Sequence, residues 1–593
     1  MVQEYWEAVR SELAELAVPA ASDRGIWDHL RAEKRCAVVR RGERFLNYDW
    51  PALTCRDYLA FSRTGERTGF EEKYNARRRA VCALAMAECV EHRGRFLDDL
   101  ADGLWLICEE SGWQLPAHNN YIRDTAPLPL PDPERPVADL FACETAATLS
   151  LVRRLLEPEL EQTAPGLCRR ILAETDRRVI QPYLTAHFWW MGNGDEPMCN
   201  WTAWCTQNVL LTVFTSGCPQ PVRRAAAKQA AYSLDCFLKD YGPDGCCEEG
   251  AVYYRRAGLC LWGALEVLDR VSGAFAPLFQ EQKIKNIASY IVNVHVGGGW
   301  YLNYADCAPK AGPCGAQEFL FGRRTGDTAL QALACAGAAE EGPRDILWEI
   351  SLFPQLLDAL YDREMAALQQ RVPAPAGVFY PSTGLWIARD ETWCVSIRAG
   401  HNGCSHGHCD SGSLIVYRRG RPLLIDIGVE SYTAKTFSAQ RYSIWTMRSD
   451  WHNLPTVNGM VQESGRGSAP ADVEQWDDGA QAGISMELAP AYPPQAGTFS
   501  YRRKAALTRG AGLTVEDCYQ GEGEAVLSLL FCEAPVWQDG ALCAAGGGIR
   551  LSAPEAPRIE AVPISDRHLR ESWPETLYRT LIPVRGRLTM AFF

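Results

Sequence analysis

The sequence predicts a helical N-terminal half followed by an antiparallel β-sandwich, and three observations carry that expectation. Apolar residues recur at helical spacing between roughly residues 75 and 370. Beyond about Ala374 they fall instead in short or alternating runs between turns. The chain has 593 residues, several times what one small core requires. Helices first and strands afterwards argue for two packed domains, expected over 1–373 and 374–593, and the cleft between such domains is the default ligand site.

In the first half, Leu149, Val152, Leu155, Leu156 and Leu160 form one stripe, and Leu167, Ile171, Leu172, Ile180 and Tyr183 form another. Pro127 to Pro136, Gly192-Asn193-Gly194, Gly242-Pro243 and Gly297 to Gly299 punctuate the helices. Repeated helix–loop–helix units of this length fit an all-helical array or toroid. Met1 to Leu16 reads as an amphipathic helix bearing Glu4, Glu7 and Glu12, without the basic and then apolar run of an export signal. In the second half, strands are expected at Gly377 to Tyr380, Gly384 to Ala388, Trp393 to Ile397, Leu414 to Tyr417 and Leu423 to Ile427, with Arg418 to Pro422 as a hairpin turn. Tyr501 to Leu507, Leu513 to Asp517 and Ala525 to Cys532 continue the rhythm.

Composition narrows the function classes. Hydrophobic residues make up 47% and charged residues 22%, a globular balance that excludes a largely disordered chain. The net charge of −13 repels nucleic acid and anionic membranes at long range, so a polyanionic ligand needs a local basic patch. No segment offers about 18 uninterrupted apolar residues for a membrane span. The 23 cysteines are scattered, and isolated ones such as Cys36, Cys82 and Cys168 suggest buried thiols. A reducing cytoplasm is the simplest compartment. Trp, Tyr and Phe number 19, 22 and 19, which suits sugar-stacking clefts as well as cores.

The densest polar constellation is Ser405-His406-Gly407-His408-Cys409-Asp410, where two of the ten histidines sit. On an extended strand His406, His408 and Asp410 would share one face. Asp426 follows in an otherwise apolar strand and needs a cation or several donors. Trp451-His452-Asn453 closes a stretch rich in Arg and aromatics that includes Arg441. Two imidazoles and one carboxylate from separate strands would make a closed zinc site; a strand-edge His pair with a hydrogen-bonded structural Asp is the alternative. In the helical half, Cys199-Asn200-Trp201 opens a helix, where Asn200 fits an N-cap. Asp244-Gly245 through Glu249-Gly250 leads into Tyr253, Tyr254, Arg255 and Arg256, rings that would be core in most proteins.

Taken in order, these segments resemble the heparinase II/III-like polysaccharide lyases. The family's asparagine-asparagine-tryptophan element is matched by Cys199-Asn200-Trp201, with Cys for the first Asn. Its acidic-glycine turn leading to a tyrosine is matched by Asp244-Gly245, Glu249-Gly250 and Tyr253. Its histidine-glycine-histidine-x-aspartate element is matched by His406 to Asp410, followed by Arg421-Pro422-Leu423-Leu424-Ile425-Asp426. Its His-Asn element before a Thr-Val strand appears as His452-Asn453-Leu454-Pro455-Thr456-Val457, with two residues inserted. The resemblance covers roughly residues 75 to 470. It implies an N-terminal α/α toroid, an incomplete helical barrel, joined to a C-terminal antiparallel β-sandwich.

It further implies β-elimination on a uronate-containing glycan. The C5 proton lies beside a carboxylate whose charge opposes a carbanion, so that charge must be neutralised first. The resemblance gives that part to Asn200, with His406 as helper or second base. Tyr253 is implied as base and acid when proton and leaving group share a sugar face, its phenol lowered by Arg255, Arg256 and Arg441. If they lie on opposite faces, His406 is the base and Tyr253 the acid. His408, Asp426 and His452 match the family's zinc ligands, a structural ion near the site. His187 and Trp201 are candidate sugar contacts, with Trp189, Trp190 and Trp204 as further stacking candidates and packing among aromatics as the plainer reading. The implied substrates are acidic oligo- or polysaccharides such as heparin or heparan, chondroitin or hyaluronan fragments, with no nucleic acid or membrane partner; a homo-oligomer is compatible. Alternatives are exo-type cleavage of alginate oligosaccharides, a glycoside hydrolase pairing Asp195 or Glu196 with Glu248 or Glu249, and a non-catalytic carbohydrate-binding protein.

Overall fold

The computed structural model describes residues 1–340, 346–368, 375–553 and 555–593. The boundary expected at 373/374 lies outside the described residues. The chain forms two compact units: the first comprises Met1–Tyr241, Arg255–Ala288 and Gly312–Val372, and the second Gly242–Tyr254, Ser289–Ala311 and Pro373–Phe593.

The first unit is an α/α array of the toroid type, built on long helices such as Thr68–Glu91, Leu140–Thr163 and Asn200–Thr215. Its centre is partly polar. Arg78 donates to Glu110 at 2.8 and 2.7 Å, and Glu144 accepts from Trp204 Nε1 at 2.7 Å and Asn208 Nδ2 at 2.9 Å, so buried charge is paired where it occurs. The amphipathic N-terminal helix is shorter than expected, Val2–Glu7. Beyond it the backbone is irregular, its amides at Ala14 and Leu16 donating to the Val271 and Phe214 carbonyls, both at 2.9 Å, with Leu13 and Leu16 buried. The second leucine stripe is also not one helix: Leu167–Thr175 passes through a π-turn at Asp176–Ile180 before Gln181–Thr185. Cys82 and Cys168 are buried as expected, but Cys36 is exposed, and none of the 23 cysteines is in a disulfide. Among the described residues no helix is long and apolar enough to cross a membrane.

The second unit is antiparallel β-sandwich. A five-stranded meander runs Gly377–Tyr380, Leu385–Arg389, Trp393–Arg398, Leu414–Arg418 and Arg421–Leu424. An eight-stranded sheet and a four-stranded sheet, the latter containing Pro455–Val457 and Ala525–Phe531, complete the layers. One apolar core joins all three, with Val395, Ile397 and Val416 from the meander, Ile484, Leu507 and Val515 from the large sheet, and Leu527 and Ile582 from the small one. The expected turn is a two-residue hairpin, Arg419 (φ 48°) and Gly420 (φ 76°), as the right-handed strand twist favours. The strand after it ends at Leu424, before Asp426. His406 to Asp410 is not a strand at all. It lies in the connection between Trp393–Arg398 and Leu414–Arg418, and His406 itself has φ 54°.

Arg503 braces this connection. It is fully buried, pairs with Asp517 at 2.8 and 2.7 Å, and donates to the carbonyls of Gly412 at 2.8 Å and Asn453 at 2.7 Å. Arg503→Met leaves Asp517 buried without its cation and is expected to destabilise the protein by about 3–5 kcal/mol in equilibrium unfolding. Arg503→Met combined with Asp517→Leu should recover part of that loss; a single variant within about 0.5 kcal/mol of the parent would contradict the brace.

Candidate active site and metal centre

The second unit assembles its polar centre on a segment that sequence reading passed over, 289–311. Tyr304 donates its hydroxyl to Ser396 Oγ at 3.1 Å, and Asn303 Nδ2 donates to the carbonyls of Cys307 at 3.3 Å and Asp426 at 3.2 Å. Ala305 turns through the left-handed region at φ 59°, and the Asp306 amide donates to the His406 carbonyl at 3.2 Å. The segment carrying Tyr253 docks on the same loop. Gly250 has φ 87°, and a Cβ there would lie 2.5 Å from Cys307 Cβ, so only glycine allows the approach.

Asp306 is the hub. Its carboxylate is completely buried and takes four donors from four positions: His406 Nδ1 at 2.9 Å, His408 Nε2 at 3.1 Å, the Tyr432 hydroxyl at 3.1 Å and Arg441 Nη2 at 2.6 Å. Burial pushes its carboxyl up, but the His406 and His408 hydrogen bonds and the charge of Arg441 hold it far below the usual carboxylate range. Arg441 also donates to the carbonyls of His406 at 2.9 Å and Gly407 at 3.2 Å, which pins the loop in its left-handed turn. His406 and His408 therefore meet through one shared acceptor rather than through strand alternation.

Tyr253 joins through Tyr432, the two hydroxyl oxygens 2.5 Å apart, and its ring centroid is 5.1 Å from that of His406. Burial pushes the Tyr253 phenol well above its usual value, opposed by the Tyr432 hydrogen bond and reinforced by Asp306 and Glu249. That overturns the expected lowering by neighbouring cations. Arg441 is committed to Asp306, while Arg255 donates to the carbonyls of Gly312 at 2.6 Å and Pro313 at 3.0 Å and Arg256 sits 4.9 Å over the Trp204 ring, all within the first unit. For His406, burial pushes the imidazole down, but the Asp306 hydrogen bond and Glu249 outweigh it and the net shift is upward.

His408, Asp426 and His452 are buried, each with a ligating atom within 4.8 Å of the others. Asp426 accepts from His452 Nδ1 at 2.7 Å and from the Gly428 amide at 2.9 Å. Because carboxylates only accept, these bonds place protons on His408 Nε2 and His452 Nδ1, leaving His408 Nδ1 and His452 Nε2 as lone-pair nitrogens. Both are buried without a hydrogen-bond partner. Orphaned imidazole nitrogens whose opposite edges are held by carboxylates are the arrangement of metal-ligating histidines, so this group can hold a metal ion. Asp410, the third member of the motif, pairs with Arg398 instead.

The remaining candidates lie in the first unit. Asn200 is buried and is the first residue of the helix Asn200–Thr215; the cap position belongs to Cys199, one residue earlier than expected. Trp201 is half-buried, 5.0 Å from Trp189 and 4.7 Å from His118. Trp190 and Trp204 are core rings, donating to the Ala138 carbonyl and to Glu144. His187 is exposed. Besides Asp306 and Tyr432, the sequence reading missed Phe437, which is 57% exposed and packs edge-on against Tyr432 at 5.0 Å and His406 at 5.9 Å.

Comparisons with known proteins agree with this fold. Residues 372–550 match the family described as heparinase II/III-like, C-terminal. A search of curated proteins finds no match to the sequence. Among solved structures, a heparinase III aligns over 100% of this chain and 88% of its own at 12% identity, with a TM-score of 0.66. A mutant heparan sulfate lyase from Pedobacter heparinus aligns over 94% and 88% at 11% identity, TM-score 0.55. The chondroitin AC lyase of Streptomyces coelicolor, solved with chondroitin sulphate, aligns over 100% and 82% at 11% identity, TM-score 0.51. Residues 372–550 thus carry the match to the heparinase II/III-like C-terminal family, on a fold shared with these solved structures.

Proposed function

We propose that the protein is a polysaccharide lyase that cleaves uronate-containing glycans by β-elimination, with glycosaminoglycans of the heparan or chondroitin type as its substrate class. The observation that carries this reading is that a phenol and an imidazole, Tyr253 and His406, stand with ring centroids 5.1 Å apart and are both tied to one ionised carboxylate. The family and the substrates named for the aligned structures point the same way.

The chemistry assigns each group a part. Neutralising the uronate carboxylate, whose charge opposes deprotonation at C5, is the part read for a side-chain amide, Asn200 of the first unit. The C5–H pair becomes the C4=C5 double bond as the C4–O4 bond breaks. Tyr253 protonates the departing O4. It also takes the C5 proton if both groups leave from one sugar face; otherwise His406 Nε2 takes it, since Nδ1 is occupied by Asp306. Arg441 keeps Asp306 ionised and so holds His406 in that tautomer. Trp201, Trp189 and the exposed Phe437 are the sugar-stacking surfaces, with His187 at the substrate's edge.

We assign zinc to His408, Asp426 and His452, because two imidazole nitrogens and a carboxylate oxygen suit that ion. When bound, it supplies fixed charge and rigidity to the loop that carries His406. His408 links the two centres, through Nε2 to Asp306 and through Nδ1 to the metal group.

Incubation with a panel of glycosaminoglycans and alginate should produce the ultraviolet absorbance of a 4,5-unsaturated uronate, which neither a hydrolase nor a binding protein generates. Tyr253→Phe is expected to lower turnover by about 10²- to 10⁴-fold with unfolding unchanged; near-parental activity removes Tyr253 from the reaction. For the metal, elemental analysis should find one zinc per chain. Chelation should lower the melting temperature, and added zinc should restore it. Metal-free protein whose melting is indifferent to zinc would refute the assignment, as would His408→Ala binding zinc as tightly as the parent.

A further inference from the structure

Tyr432 has one proton and two acceptors within reach. Its hydroxyl is 3.1 Å from Asp306 Oδ2 and 2.5 Å from the Tyr253 hydroxyl. Asp306, ion-paired with Arg441, can only accept. With Tyr432 donating to Asp306, Tyr253 must donate to Tyr432, and both phenols are neutral. This is the arrangement in which Tyr253 is loaded as an acid.

The elimination also requires the other state. If Tyr253 takes the C5 proton, it must be a phenolate beforehand; if it protonates O4, it is a phenolate afterwards. A phenolate at this buried position faces Asp306 and Glu249, two negative charges, so it needs a donor. Rotation about the Tyr432 C–O bond turns its hydroxyl from Asp306 to Tyr253. Asp306 can release that bond because His406, His408 and Arg441 remain on it.

Resting on the lyase reading above, we propose that Tyr432 is a positioning residue: its hydroxyl switches between Asp306 and Tyr253 and stabilises the Tyr253 phenolate formed during elimination. When both groups leave one sugar face, Tyr253 enters as the phenolate, its own proton having passed to water, and the C5 proton ends on O4; on opposite faces the C5 proton ends on His406 and O4 takes the Tyr253 proton. In both cases the C5–H electron pair ends in the C4=C5 bond, the C4–O4 pair leaves with O4, and Tyr432 keeps its own proton throughout, changing only the oxygen that accepts it. The short phenol–phenol separation suits this, because a hydroxyl donating to a phenolate is a charge-assisted bond, about twice as strong as a neutral one. The role is the same whichever sugar face loses its proton.

Tyr432→Phe removes the hydroxyl and keeps the ring against Phe437. The expected result is a kcat about 10- to 100-fold lower at neutral pH with KM within about twofold, in a protein that remains folded. The phenolate becomes harder to form, so any limb of the kcat profile set by Tyr253 ionisation should move to higher pH. Unchanged kcat, or a reduced kcat with an unmoved profile, would overturn the proposal. A second readout is independent of turnover. In protein carrying 3-fluorotyrosine, the Tyr253 fluorine resonance, assigned by its loss in Tyr253→Phe, should shift in Tyr432→Phe and titrate at higher pH. A resonance that neither shifts nor titrates differently would overturn the proposal on its own. Absence of lyase activity in the parent protein, with that fluorine shift present, would instead reject the lyase reading while leaving the Tyr432–Tyr253 coupling established.

Discussion

A single buried carboxylate organises this protein's polar centre. Left alone, the Asp306 side chain would cost several kcal/mol to bury. Four donors remove that cost, and they come from positions far apart in sequence, 100 residues away for His406 and 135 for Arg441. Hydrogen bonds to a charged group are worth about 1.5–3 kcal/mol each, so the loop bearing His406 and His408, the stretch bearing Tyr432 and Arg441, and the segment bearing Asp306 are held as one unit. Removing any one donor weakens the placement of the rest.

That hub also explains why the candidate catalytic and metal groups are adjacent. His408 belongs to both, bonded to Asp306 on one nitrogen and turned toward Asp426 and His452 with the other. Asn303 closes a second link by donating to the Asp426 carbonyl from the Asp306 loop. Farther out, Arg503 ties the large sheet to Gly412 and Asn453, on the connections that carry Asp410 and His452. Rigidity therefore passes from the sandwich core to the loops through paired charges, whereas the apolar core beneath fixes only where the strands lie.

The parts legible in the sequence were those written as local patterns. Short apolar runs between turns found the meander and the hairpin at Arg419-Gly420, and helical stripes found the first unit, because strands buried on both faces and helices buried on one leave a regular trace. Legibility ended where tertiary bonds override local preference. Residues 11–16 follow helical patterning but are not helical, since their backbone finds partners at Phe214 and Val271. His406 looked like a strand residue, yet its left-handed turn is imposed by Arg441 gripping two adjacent carbonyls. Asp306 and Tyr432 left no trace at all: one acidic residue after Ala305 and one tyrosine in a loop acquire meaning only when the fold brings their partners together. The Tyr253 shift was misread for the same reason, because Arg255, near it in sequence, donates to the Gly312 and Pro313 carbonyls and Arg256 lies over the Trp204 ring.

The central claim is that the Asp306-held His406 and Tyr253 act together on one acidic sugar ring. The most direct measurement is a crystal structure of the Tyr253→Phe protein with a uronate oligosaccharide bound. The predicted result is one uronate with His406 Nε2 beside the ring and the ring's C4 and C5 facing the position of the lost hydroxyl. A saccharide bound away from His406 and residue 253, or a uronate whose C5 faces neither, would contradict the claim.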